Sequence, residues 1–167
     1  MGEGQALHKS TRILAAAMLL AGTTLHAQPV EPAATSQVRI LATGGTIAGK
    51  GNAAGTSYRS GAVSVDDLIA ALPGVEKIAR VTGEQIANVP SSDMDEIIWR
   101  KLHARALAAI ADPDVAGVVV THGTDTLEET AFLLSLILPP TKPVVVVGAM
   151  RPSTAVSADG PQNMLDA

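Results

Sequence analysis

The run Gly117-Val118-Val119-Val120, followed at once by Thr121-His122-Gly123-Thr124-Asp125-Thr126, constrains what this chain can fold into more than any other feature. An apolar run with no polar alternation reads as a strand buried on both faces, the habit of a parallel sheet covered by helices. Two more runs repeat the pattern. Val38-Arg39-Ile40-Leu41-Ala42 leads into Thr43-Gly44-Gly45-Thr46, and Pro143-Val144-Val145-Val146-Val147 leads into Gly148-Ala149-Met150-Arg151-Pro152. In an open α/β sheet, loops at the carboxyl ends of the strands line the ligand crevice. Two hydroxyl-rich loops, at 42–48 and 121–126, are therefore aimed at one place.

Helical segments alternate with these strands. Ser64 with Asp67 resembles a capping box opening a helix over 65–72, stopped by Pro73-Gly74. The stretch 75–89 is strand-like but interrupted at Gly83, so two strands or a hairpin fit equally well. Asp93 suits the N-cap of a helix reaching Ala111, with Asp95 and Glu96 at its positive end. Along it Met94, Ile97, Ile98, Leu102, Ala106, Ala109 and Ile110 recur at helical spacing as a core stripe, opposite the solvated face of Arg100, Lys101 and Arg105. Helices over 127–138 and from about 159 complete the alternation. The expectation is an α/β fold, a three-layer α/β/α sandwich with a mainly parallel sheet. With one Trp, one Tyr and one Phe in 167 residues, its core must be aliphatic.

The first 27 residues differ in kind. Lys9 and Arg12 precede the apolar stretch 13–21, and small and polar residues lead to His26-Ala27. A basic start, a short apolar stretch and a small residue at the cut make a secretory signal peptide, too short for a comfortable membrane span. Residues 28–37, rich in Pro, Ala, Ser and Thr, read as a flexible leader, and 38–167 as the folded domain. The protein is thus expected in the periplasm, without membrane attachment after signal removal. There is no Cys, which excludes disulfides and thiolate metal sites but not an oxidising compartment. A net charge of −4 without basic runs argues against nucleic acid. No His/Asp/Glu cluster has metal-ligand spacing, and no cofactor is expected.

Thr46 follows a tight glycine turn. A threonine alcohol becomes a nucleophile when a neighbour takes its proton, and Gly44 and Gly45 would let the main chain approach a substrate carbonyl and offer N–H donors to an oxyanion. A turn that merely joins strand to loop fits the same residues. Gly44 and Gly49-Lys50 also stand at the spacing of a phosphate-binding loop, but Gly51 occupies the position of the hydroxyl that would hold Mg²⁺. In the second loop, Thr124 and Asp125 lie near a helix N-terminus, where an anionic group such as a carboxylate is favoured. Asp125 could accept from an α-amino group, so the set suits a small zwitterionic amino acid; plain N-capping by one of the two is the alternative. His122 invites a general-base reading, although a lone His at a strand end is more often structural, and His103 carries still less.

These motifs resemble those of the bacterial L-asparaginase family, in particular its secreted type II members. Ile40 to Ala48 matches the family's first signature and Gly117 to Leu127 its second; Gly148 to Thr154 and Ser157 to Pro161 are similar to the segment that follows. The resemblance implies a flavodoxin-like N-terminal domain and hydrolysis of L-asparagine, and more weakly glutamine, to the acid and ammonia. It implies Thr46 as nucleophile, oriented by Tyr58, with Thr124 and Asp125 in a second catalytic and substrate-binding group. Gly45, Ser91, Ser92 and Gly123 would join Thr124 and Asp125 in binding substrate, Ser91 at its α-carboxylate. Ser92 stands where many relatives have glutamine. The family works as homotetramers and is about twice this length, with a second α/β domain and a catalytic lysine that this sequence lacks. A truncated, inactive amino-acid-binding or interaction domain is therefore the alternative expectation.

Overall fold

The computed structural model describes residues 36–52 and 57–167; the expected signal peptide and nearly all of the leader lie outside the described residues. Four parallel strands form the main sheet: β1 (Gln37–Gly44), β4 (Arg80–Val89), β5 (Val115–Thr121) and β6 (Val144–Val147), in the order β4-β1-β5-β6. The chain first adds β4 on one side of β1 and then β5 on the other. That reversal is a topological switch point, and it puts the crevice between the carboxyl ends of β1 and β5. The expected α/β sandwich is what the chain forms.

Side-chain alternation divides the core into two layers. Ile40 and Ala42 of β1 and Val119 of β5 face one side, with Val65 and Leu68 of α1 (Val65–Ala70) and Met164 of α4 (Gly160–Asp166). Leu41, Val118 and Val120 face the other, against Leu102, Ala106, Ala109 and Ile110 of α2 (Glu96–Ala111) and Leu134 of α3 (Leu127–Ile137). A register shift between Gln37 and Val38 opposite Val115 and Gly117 explains why Val115 shares the face of Val118 despite its odd spacing.

Several local expectations are corrected. Residues 80–89 form one continuous strand, preceded by a 3₁₀ turn over Val75–Lys77. Gly83 does not interrupt it: a Cβ there would stand 2.5 Å from Val65 Cγ2 and 2.8 Å from Ile69 Cδ1, so the glycine is where α1 lies closest to the sheet. The N-cap of α2 is Asp95, whose carboxylate accepts from the Ile98 N–H at 2.8 Å, while Asp93 closes a 3₁₀ turn over Ser91–Asp93. Ile97 leaves the stripe and is 76% exposed. Lys101 and Arg105 are not simply solvated, since Lys101 Nζ donates to the Ile86 carbonyl and Arg105 pairs with Glu84. β6 is the edge of the sheet among the described residues rather than a central strand, and its four valines are only half-buried. The long loop after β1 contains a small antiparallel ladder, β2 (Lys50–Gly51) with β3 (Tyr58–Arg59).

Candidate active site

The end of β1 is shaped by two glycines in conformations that L side chains rarely adopt. Gly44 has φ +117° and Gly45 φ +75°; a Cβ on Gly45 would stand 2.3 Å from Gly123 Cα. The backbones of the two strand-end loops therefore touch at Gly45, while Gly44 lies against the end of β4, where a Cβ would stand 2.4 Å from the Val89 carbonyl oxygen. The Gly45 N–H donates to the Val89 carbonyl at 3.0 Å, so this donor, expected to be free for an oxyanion, is engaged. Thr43 Oγ donates to the Thr121 carbonyl at 2.9 Å and ties the two loops together from below.

Thr46 opens a single 3₁₀ turn, Thr46–Ala48, half-buried at the mouth of the crevice. The β2–β3 ladder returns the chain so that Tyr58 O–H donates to Thr46 Oγ1 at 2.9 Å. Tyr58 is half exposed, and Gly49 makes room for its ring: a Cβ there would meet Tyr58 Cε2 at 2.7 Å. Lys50 and Gly51 form strand β2 rather than the first turn of a helix, which removes the phosphate-loop reading, whose lysine-bearing turn has to open one.

Across the crevice, Ser91 is buried at the start of the turn after β4. Its Oγ accepts the Asp125 N–H at 3.1 Å, and its carbonyl accepts from Thr126 Oγ1 at 2.8 Å. Gly123 fits against it with no room to spare, a Cβ at 123 being 2.6 Å from Ser91 Oγ. Ser91 accepts through its oxygen and keeps its own proton free to donate. The N-cap of α3 is Thr126, without a side-chain capping bond, so neither Thr124 nor Asp125 is spent on capping. Thr124 is half-buried and Asp125 exposed. Ser92 is exposed, its hydroxyl turned to the Asp93 carboxylate at 3.3 Å, and is not brought to the other site residues by any hydrogen bond.

His122 is not a base in this arrangement. It is wholly buried, its Nδ1 against the Gly123 carbonyl and its Nε2 against Thr130 Oγ1, and burial lowers its pKa from the ordinary imidazole value. The segment after β6 was legible only as a motif, not in what it does. Ser153 Oγ donates to the Gly49 carbonyl at 2.8 Å and Thr154 Oγ1 accepts the Gly51 N–H at 2.8 Å, fastening the base of the Tyr58 loop. Asp159 in turn accepts the Met150 and Arg151 N–H groups, which hold its carboxyl below the usual range, Met150 foremost. A separation of over a hundred residues between Gly49 and Ser153 left no sequence signal for that fastening. A cavity of about 840 Å³ is lined by Gln37, Arg80 and Asp114 and by none of these site hydroxyls.

A sheet whose strand order reverses between two hydroxyl-bearing strand-end loops, one of them with a carboxylate, defines an α/β protein with its candidate site at the topological switch point. Residues 37–167 match the family model described as asparaginase, N-terminal, and the chain belongs to that family. It is 55% identical over 132 residues to an L-asparaginase 2 of Bacillus subtilis, covering 78% of this chain and 35% of that protein. A probable periplasmic L-asparaginase of Haemophilus influenzae is 50% identical over 131 residues, 78% of this chain and 37% of its own length. Among solved structures, a probable cytoplasmic L-asparaginase from Campylobacter jejuni superposes with a TM-score of 0.75 at 50% identity, over 80% of this chain and 41% of that one. The chain thus spans 35% and 37% of the length of these two curated relatives.

Proposed function

We propose that this chain is the N-terminal, catalytic-loop domain of a secreted L-asparaginase, an amidohydrolase that converts L-asparagine to L-aspartate and ammonia and acts on L-glutamine more weakly. The observation that carries the reading is the Tyr58–Thr46 hydrogen bond at the end of β1, facing the Thr124-Asp125 loop across the switch point. In this reading Thr46 Oγ attacks the side-chain amide carbon and forms an ester as ammonia leaves with a proton. Water then cleaves the ester to the acid. Tyr58 holds Thr46 Oγ in line, which matters because a misplacement of about 1 Å can cost roughly a hundredfold in rate. Ser91 offers its proton to the substrate α-carboxylate, and Asp125 accepts from the α-amino group. Gly45 and Gly123 keep the loops close enough for one small substrate to reach both, with Thr124 beside the scissile amide and Ser92 at the rim.

The homotetramer and a second domain that completes the site belong to the same proposal, as does the periplasm. The last rests on the basic and apolar pattern of residues 9–27 and accords with the relative named periplasmic, against a similar structure named cytoplasmic. The intact mass of the protein from its source checks both: loss of residues 1–27 supports export, and a mass well above 17.0 kDa supports the longer enzyme. The catalytic assignment is tested by ammonia release from L-asparagine. Thr46→Ala in the protein from its source should lower kcat by at least about a hundredfold; unchanged release would end the nucleophile assignment. Binding of L-aspartate without any turnover in the parent protein would favour the amino-acid-binding alternative.

A further inference from the structure

His122 is wholly buried beside the crevice, and no step of the proposed reaction uses its imidazole. Its surroundings are unusually determinate. Trp99 Nε1 on α2 is 3.0 Å from Thr130 Oγ1 on α3, Thr130 Oγ1 is 2.9 Å from His122 Nε2, and His122 Nδ1 is 2.8 Å from the Gly123 carbonyl oxygen. An indole N–H only donates, so Thr130 Oγ1 accepts from Trp99. A carbonyl only accepts, so His122 Nδ1 carries a proton. The single hydroxyl proton of Thr130 is then left for Nε2, which receives it as a bare lone pair. The opposite tautomer would face the Nδ1 lone pair against the Gly123 oxygen at 2.8 Å. An imidazolium would need a charge in a fully buried site whose two ring partners, Thr130 and the Gly123 carbonyl, are both uncharged.

We propose that Trp99, Thr130 and His122 form a one-way hydrogen-bond chain that positions the Gly123–Thr124 peptide, and through it the Thr124 hydroxyl and the Asp125 carboxylate, against Thr46. The chain starts in α2, crosses to α3 and ends on the carbonyl of the residue that touches Gly45 and Ser91. It therefore sets the rotation of a peptide lying between two fixed points: Asp125 N–H to Ser91 Oγ on the next peptide, and His122 N–H to the Val147 carbonyl at 2.8 Å two peptides back. His122 here is a positioning residue, not a catalytic one. Satisfied buried networks of this kind hold one arrangement, and a half-satisfied one does not.

The catalytic consequence rests on the amidohydrolase reading; the tautomer does not, so the two can fail separately. Nitrogen-15 NMR of the imidazole in the protein from its source should report a neutral, Nδ1-protonated ring at pH 7. A neutral ring protonated at Nε2 or a charged ring overturns the chain. Thr130→Val takes away the relay hydroxyl at nearly constant volume, and should mix the tautomers and lower kcat for L-asparagine by roughly tenfold to a hundredfold with KM changed less than about threefold. Thr130→Ser keeps the hydroxyl and should restore both the ring signature and kcat. If Thr130→Val fails to fold, the wild-type tautomer and the Thr130→Ser rate still decide: a Thr130→Ser variant with a displaced tautomer, or with kcat lowered about tenfold or more from the wild type, contradicts the proposal. A kcat unmoved by Thr130→Val while the tautomer shifts refutes the positioning role. A parent protein with no asparaginase activity refutes the reaction and leaves the ring signature as the test.

Discussion

At the scale of single residues, the loops of the candidate site meet through glycines, Gly45 against Gly123 and Gly123 against Ser91, that leave no room for a side chain. Tyr58 meets Thr46 through one hydroxyl and is otherwise half exposed, so its role and its stability contribution separate well. Tyr58→Phe should lower kcat by about tenfold to a hundredfold while moving Tm by no more than a degree or two, since few buried atoms change; steady-state kinetics and a melting curve together check it. His122 makes a different prediction. Burial lowers its folded-state pKa below the unfolded value of about 6.5, so the folded state binds this proton less readily than the unfolded chain. Its contribution to stability is therefore complete above about pH 6.5 and is lost as the pH falls through the lowered folded value. Denaturant unfolding at pH 7.5, 6 and 5 should show that loss, and His122→Gln should flatten it in that range even though the variant starts less stable.

At the scale of elements, much was legible because local chemistry and tertiary context agreed. Ser64 caps α1 through the Asp67 N–H as its capping-box pattern predicts, and the apolar runs became β1, β5 and β6 within a residue or two. The failures came where tertiary contact overruled a local cue. Gly83 looked like a break and is instead the bare spot in β4 under Val65 and Ile69; Asp93 suited the N-cap locally, but the 3₁₀ turn after β4 consumes it and Asp95 takes the cap. The candidate site divides the same way. Glycine and threonine spacing announced Gly45, Thr46, Gly123 and Thr124, because strand-end loops in an open sheet converge. Nothing local announced Ser153 and Thr154 as the fastening of the Tyr58 loop, or Thr130 and Trp99 behind His122, since those depend on which helix lands on which strand. Gly83→Val is the direct test of the helix-seating account. Its Cβ alone would fall 2.5 Å from Val65 Cγ2, so α1 must shift outward. A loss of about 1–3 kcal/mol by denaturant unfolding is expected from overpacking, with α1 amides exchanging faster while those of α2 stay protected.

At the scale of the whole molecule, the sheet is asymmetric in a way that follows from its order. β1 and β5 are paired on both sides, and their carboxyl ends hold the crevice. β4 is shielded on one face by α1 and tied to α2 through Lys101 and Arg105. β6 is packed by α3 on one face and pairs with β5 alone among the described residues: its four valines are half-buried, with Val145 lining an apolar groove of about 310 Å³ on one face and Val144 and Val146 another of about 310 Å³ beside α3. Phe132 and Leu136 of α3 are each 66% exposed nearby in the chain. Natural sheets blunt an edge with charge, proline or a bulge, and Val144 to Val147 carries none of these. An unblunted apolar edge in a parallel sheet is a pairing surface, so the 167-residue chain on its own should self-associate with rising concentration. Val145→Lys puts a charge on that edge without touching Thr46, Tyr58, Thr124 or Asp125. Sedimentation velocity across a concentration series should show the association weakened by at least about fivefold in the variant. Equal association in both chains would move the sticky surface away from β6, with the exposed face of α3 as the next place to put the charge.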